Sequence, residues 1–181
     1  MCSSDLYRPL ARPEGAGWQY AATEPGLIPG RRRQGEVHDE NAWAAGKVAG
    51  HAGLFGAVGD VFRLAAALYR AYAGEPQGPG QPFASALTRQ FLKPLIPGGR
   101  ALGFDTPAAD STQRAAGRGF SPNSVGHLGF TGVSFWLDLD TGQMVILLTN
   151  RVHLGREDRQ PIQAFRPRFH EAASRALGLA V

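Results

Sequence analysis

The sequence predicts an α+β domain, and three stretches carry that prediction. Val133, Phe135, Leu137 and Leu139 alternate with Ser134, Trp136 and Asp138, the two-residue period of a strand with one richly apolar face. "MVILLTN" (144–150) is a continuous apolar run of the kind a buried strand shows, and "DTG" (140–142) supplies the turn between the two. Val61, Leu64, Leu68 and Tyr72 recur at helical spacing between about Asp60 and Ala73, with Asp60 in the first turn, where its charge suits the helix dipole.

The remaining segments follow in chain order. Residues 7–35 are rich in Pro, Gly and Arg and read as an irregular connection. The glycine-rich stretch 35–56 reads as an ordered loop held by short-range polar contacts rather than as a helix. "GEPQGPGQP" (74–82) is a linker, and a second helix is expected over Phe83–Leu92, stopping before Pro94. Residues 95–125 are punctuated by Gly and Pro, and a short extra strand is expected ahead of the hairpin. A C-terminal helix begun at Pro167 presents Phe169, Ala173 and Ala176 or Leu177 on one face.

Composition narrows the function. The 181 residues suffice for one ordinary domain, and 43% hydrophobic with 19% charged residues fits a globular chain. The net charge of +4 is carried almost wholly by arginine, Lys47 and Lys93 being the only lysines. Arg31, Arg32 and Arg33 sit in "LIPGRRRQGE" among turn formers, without interleaved aromatics or a basic helix face, so they read as a solvated loop and no nucleic-acid partner is expected. No apolar run approaches the ~18 residues of a membrane span, so no span is expected in this chain. Cys2 is the lone cysteine, and His38, His51, His127, His153 and His170 show no H-x-x-x-H spacing. Neither a metal site nor a cofactor is expected.

The opening "MCSSDL" matches a translated end of a common sequencing adaptor. The expectation is therefore that residues 1–6 are not native, and that the gene is cut near Tyr7 with the domain occupying 7–181. Ser3, Ser4 and Asp5 accordingly receive no role.

A search for an activated nucleophile finds none. No serine stands in G-x-S-x-G. None begins Ser-x-x-Lys either, because the third residue before Lys47 is Ala44 and before Lys93 is Gln90. No tyrosine begins Tyr-x-Asn or Tyr-x-Ser. Yet "GHLGFTG" (126–132) places a histidine among glycines at the mouth of the hairpin. A glycine there can let a ligand approach the backbone, so that the following amide serves as an oxyanion donor. The plainer physical reading is that Gly126, Gly129 and Gly132 bend an edge strand.

Three motifs in order, "VHDENAWAAGKVAGHAGLFGAVGDV" (37–61), "GHLGFTGVSFWLDLDTG" (126–142) and "VILLTNRVH" (145–153), resemble the C-terminal half of the β-lactamase-related serine hydrolases. These are relatives of class C β-lactamases and low-molecular-weight penicillin-binding proteins. The resemblance covers nearly everything from Tyr7 onward. It implies the C-terminal part of a β-lactamase/transpeptidase-like fold, an antiparallel sheet flanked by helices plus part of a helical domain. It also implies that the Ser-x-x-Lys and tyrosine motifs lie in an N-terminal half beyond this chain. His127, Leu128 and Gly129 match the family's third motif, Lys-Thr-Gly or His-Thr-Gly. The resemblance implies that His127 lines the cleft as a titratable wall, that Gly129 permits substrate approach and that the Phe130 amide joins the oxyanion hole. Leu128 departs from the pattern, since the usual hydroxyl can hydrogen-bond a substrate carboxylate and leucine cannot. For His38, Asp39, Glu40 and Asn41 a structural role is expected.

The resulting expectation is a truncated serine hydrolase. Its parent would act on a small-molecule ester or amide through an acyl-serine, and this chain would be inactive alone. The alternative is a non-catalytic binding module on the same fold.

Overall fold

A computed structural model of the chain describes residues 20–24, 34–76, 78, 82–96, 98–110, 114–153 and 155–178. The expectations for Met1–Leu6 and for Arg31–Arg33 fall outside these residues. The described residues divide between two compact units, one drawn from 1–57 and 149–158, the other from 58–148 and 159–181.

The first unit is held by polar contacts. Among its described residues is a short helix, α1 (Glu40–Ala44), in a stretch whose glycines suggested loop alone. The turn forms because Asp39 caps it, its carboxylate accepting the Ala42 N–H at 2.8 Å. The same carboxylate stands 2.9 Å from His51 Nε2. The nearly buried Glu24 carboxylate meets both His38 Nε2, at 2.8 Å, and Arg156. Arg156 also donates to Glu40 at 2.6 Å. Burial alone would raise the Glu24 pKa, but the Arg156 and His38 partners hold it below the usual carboxylate range. His38, Asp39 and Glu40 thus fold the segment together. A 3₁₀ turn, Arg151–His153, follows the hairpin, so the apolar run 144–150 is a strand only in its first half. Asn150 and His153 both bond the Ala22 carbonyl, which draws the chain off the strand path.

The second unit holds α2 (Val58–Ala73), α3 (Ser85–Leu92), the strands β1 (Ser124–Leu128), β2 (Ser134–Asp138) and β3 (Met144–Leu147), and α4 (Gln160–Ala176). The sheet is antiparallel in the order β1-β2-β3. Gly126 faces Trp136 and His127 faces Phe135 across the first pair, and Trp136 faces Val145 across the second. Pleating sends alternate residues to opposite faces. On one face Val125, Leu137 and Leu139 join Leu92 of α3 and Ala101, with Tyr69 and Tyr72 of α2 packed against them. On the other, Trp136 and Val145 join Ala116 and Phe120, with Phe169 and Ala173 of α4 beside them.

Three details depart from the sequence reading. In α2 the buried stripe is Ala65, Leu68 and Ala71, while Leu64 is exposed. α4 begins seven residues before Pro167, at Gln160, because Pro161 takes the early position where a missing N–H costs nothing. Pro167 lies inside the helix, and the bonds made by its buried residues offset the lost backbone bond. Those residues are Ile162, Arg166, His170 and Ser174, one per turn and mostly polar, whereas Leu177 is exposed. β2 is also buried on both faces: its polar residues Ser134 and Asp138 are as hidden as its apolar ones.

Ser134 and Asp138, the buried polar side chains of β2 on that second face, have partners. Asp138 accepts from the backbone N–H of Ser121 (2.7 Å), Asp140 (2.9 Å) and Thr141 (3.1 Å). Burial would raise its pKa, but these amides outweigh it and hold the carboxyl below its ordinary range. Ser134 Oγ lies 3.0 Å from His170 Nε2. Burial, aided by the Arg166 charge, pushes the His170 imidazole down to about 4.

A Cβ on Gly126 would stand 2.3 Å from the Phe135 carbonyl oxygen and 2.6 Å from the Trp136 ring. Gly126→Ala is expected to destabilise the chain by about 2–3 kcal/mol, read as a lower urea midpoint. Gly50→Ala, where nothing stands within 4 Å of the added carbon, shifts it by less than about 0.5 kcal/mol.

His170 generates a pH dependence. Above pH ~6.5 the imidazole is neutral folded or unfolded and adds no slope. Between ~6.5 and ~4 the unfolded chain binds a proton that the native chain refuses, so stability falls as pH falls, by about 3 kcal/mol across that window. Urea midpoints from pH 6.5 to 4.5 should decline in the natural chain and decline less in His170→Gln.

Candidate active site

β1 ends in the segment that the sequence singled out. His127 is exposed, on the sheet face of Val125 and away from α4. Its cross-strand neighbour Phe135 meets the Phe104 ring edge-on at 6.4 Å. The outer edge of β1 is bridged at Gly126 by Asp105, whose N–H and C=O bond the glycine at 2.7 and 2.9 Å. His127, the next residue, is exposed.

Leu128 points the other way. It is half-buried against Ala116, Phe120, Trp136 and Val145, on the α4 side of the sheet. The residue that departs from the family motif is therefore a packing residue here.

Gly129 to Val133 form the tight turn into β2. The Gly129 N–H donates to the Val133 carbonyl at 2.8 Å, and the Gly132 N–H donates to the Gly129 carbonyl at 3.1 Å. A Cβ on Gly129 would stand 2.3 Å from Val133 Cγ2, so the tightness of the turn itself demands glycine. Phe130 is 44% exposed, and the Arg159 guanidinium lies over its ring at 5.2 Å. From α4, Arg166 reaches the same turn, its Nη2 donating to the carbonyls of Gly129 (2.7 Å) and Val133 (2.9 Å).

The four expected site residues are thus contiguous but divided. His127 stands exposed on one face, Leu128 packs on the other, and Gly129 and Phe130 form the turn beyond them. Sequence reasoning missed Arg166, and also the Ser134–His170 pair, whose members are 36 positions apart. Only the four-residue spacing of Ile162, Arg166, His170 and Ser174 along one helix face could have hinted at either. Ser134 and His170 are 3% and 0% exposed, so no substrate reaches them, and the pair is structural. Among the described residues, no three His, Cys, Asp or Glu side chains gather closely enough to hold a metal ion, and no helix is long and apolar enough to cross a membrane.

The packing role of Leu128 has a measurable consequence. Leu128→Thr should cost about 1–2 kcal/mol of stability in urea unfolding, because it removes apolar contact and half-buries a hydroxyl.

Comparison with known proteins adds to this geometry. The Beta-lactamase family model matches residues 4–165. A protein of Escherichia coli O157:H7 named "Putative D-alanyl-D-alanine carboxypeptidase" is 30% identical over 128 residues, 70% of this chain and 29% of that protein. Its namesake in Escherichia coli K12 aligns to the same extent. Another, from Salmonella gallinarum, is 31% identical over 121 residues, 66% of this chain and 27% of that protein. The chain thus matches less than a third of the length of these relatives. No solved structure matches it significantly.

Proposed function

Because this chain belongs to the beta-lactamase family of serine hydrolases, we propose that it is the C-terminal part of one such enzyme and furnishes a wall of the active site without the nucleophile. The observation that carries the reading is the separation at β1. His127 is exposed near the end of the strand, and Gly129 and Phe130 follow it in the tight turn into β2. In the intact enzyme a serine hydroxyl attacks the carbonyl carbon of an ester or amide, and its proton passes to a neighbouring lysine–tyrosine pair. The C–O or C–N bond then breaks as the leaving group takes up a proton, and water releases the acyl group from the serine. The Phe130 N–H is the proposed donor to the carbonyl oxygen as it becomes an oxyanion, and His127 is the titratable group beside the leaving or incoming group. Gly129 leaves out the side chain that would meet Val133, and the Phe130 amide follows it directly in the turn.

Three further facts support the reading. The sequence holds no Ser-x-x-Lys and no Tyr-x-Asn or Tyr-x-Ser. The matched relatives are more than three times as long as the stretch they share with it. α2, α3 and the loop after them leave Phe62, Leu64, Leu87, Phe91, Leu95 and Ile96 exposed, apolar side chains that a missing part of the enzyme would cover. The names of the relatives point to a peptide amide next to a free carboxylate as substrate. With Leu128 packed inward, a carboxylate finds no hydroxyl at that place, which favours a less polar ester or amide.

The chain by itself is expected to leave a p-nitrophenyl ester and a chromogenic cephalosporin untouched. It should also take up no mass from a serine-directed acylating agent. A stable acyl adduct on one of its own serines would overturn the proposal.

A further inference from the structure

α4 contributes a buried arginine whose contacts bear on the proposed acyl transfer, and the role assigned to it rests on that reading of the function. Arg166 is 7% exposed, and its Nη2 donates to the Gly129 carbonyl at 2.7 Å and to the Val133 carbonyl at 2.9 Å. Closing the turn does not require this. Gly129 N–H to Val133 O and Gly132 N–H to Gly129 O already close it with backbone bonds of 2.8 and 3.1 Å. Burying a guanidinium is costly, so its presence at an already closed turn calls for another reason.

The reason lies in the peptide unit. The Gly129 carbonyl and the Phe130 N–H belong to the same planar group, and the described residues contain no cis peptide. In a trans unit the two bonds point in opposite directions. The Gly129 oxygen is held on the inside of the turn by the Gly132 N–H and by Arg166, so the Phe130 N–H points away from the inside of the turn. A charge-assisted hydrogen bond on the oxygen also draws electron density through the amide and makes its N–H a stronger donor.

We propose that Arg166 is the positioning residue for the Phe130 amide. From the far side of the sheet it aims and polarises the Phe130 N–H, without touching substrate.

The test reads that amide directly. In the chain labelled with [15N]phenylalanine, Phe130 is assigned through Phe130→Leu, and the Phe135 amide of β2 serves as the control. Arg166→Met keeps the side-chain bulk and removes the charge, and its Phe130 amide proton is expected to move upfield while Phe135 stays in place. Arg166→Lys keeps the charge and should move it only partway. An unmoved Phe130 amide in either variant overturns the proposal, and Arg166→Lys decides alone if Arg166→Met does not fold. In the longer gene product that holds the nucleophile, Arg166→Lys should lower kcat on a p-nitrophenyl ester about tenfold and leave KM within about twofold. An amide that moves while kcat does not would spare the Arg166 coupling and sink the assignment of that amide to the oxyanion.

Discussion

The Trp136 indole lies on a stretch of β1 that has no side chain. Everything about the proposed site follows from that contact, because a carbon added to Gly126 would overlap both the ring and the Phe135 carbonyl. Gly126 and Trp136 are therefore locked opposite each other, and with them the register of the whole pair. A slip of one residue in a pleated strand exchanges its two faces. With the register held, His127 must face away from α4 and Leu128 toward it. One bare position thus decides which face carries His127 at the end of β1 and which face takes Leu128 into the cluster beside α4.

The α4 side of the sheet is unusual in burying polar residues beside its apolar cluster. α4 turns Arg166, His170 and Ser174 inward, and β2 turns Ser134 and Asp138 to meet the same layer. Such burial is tolerable only because partners are supplied. Asp138 takes three backbone amides, Ser134 meets His170, and Ser174 Oγ accepts from Gln143 Nε2 at 3.2 Å. Hydrogen bonds demand direction as well as proximity, so this layer orders the helix against the sheet more strictly than apolar packing does. That strictness is what lets a group on α4 govern the orientation of a single peptide in the turn after β1.

A family assignment sharpens this picture without completing it. The chain is a beta-lactamase family member matching less than a third of the length of its relatives, and it contains an exposed histidine and a glycine turn but none of the family's nucleophile motifs. Catalysis of this kind divides its labour between a group that attacks and a scaffold that receives the charge which attack creates. On the proposed reading, the present chain holds the second share. Its own Ser–His pair, which at first sight resembles a catalytic dyad, sits at the bottom of a packed layer and holds the fold.

Much of this was legible in the order of residues. The alternation over Val133–Leu139, the apolar run after "DTG" and the repeats of α2 and α3 identified the elements to within a few positions, because period and turn chemistry are local properties. The third-motif resemblance likewise drew attention to His127, Leu128, Gly129 and Phe130. The burial of β2 on both faces was not legible, since alternating polar residues suggest a solvent face until a helix is laid over them. Nor was the true start of α4. Pro167 is a reasonable first-turn residue, and only the tertiary partners of Arg166 and His170 explain a helix that runs through it. Leu128 seemed a defect in a binding motif until packing showed it facing inward. Local chemistry determined which elements form and where a polar group falls along the chain. Contacts between residues tens of positions apart decided which face each side chain occupies, because burial and hydrogen-bond partners come into being only when the elements meet.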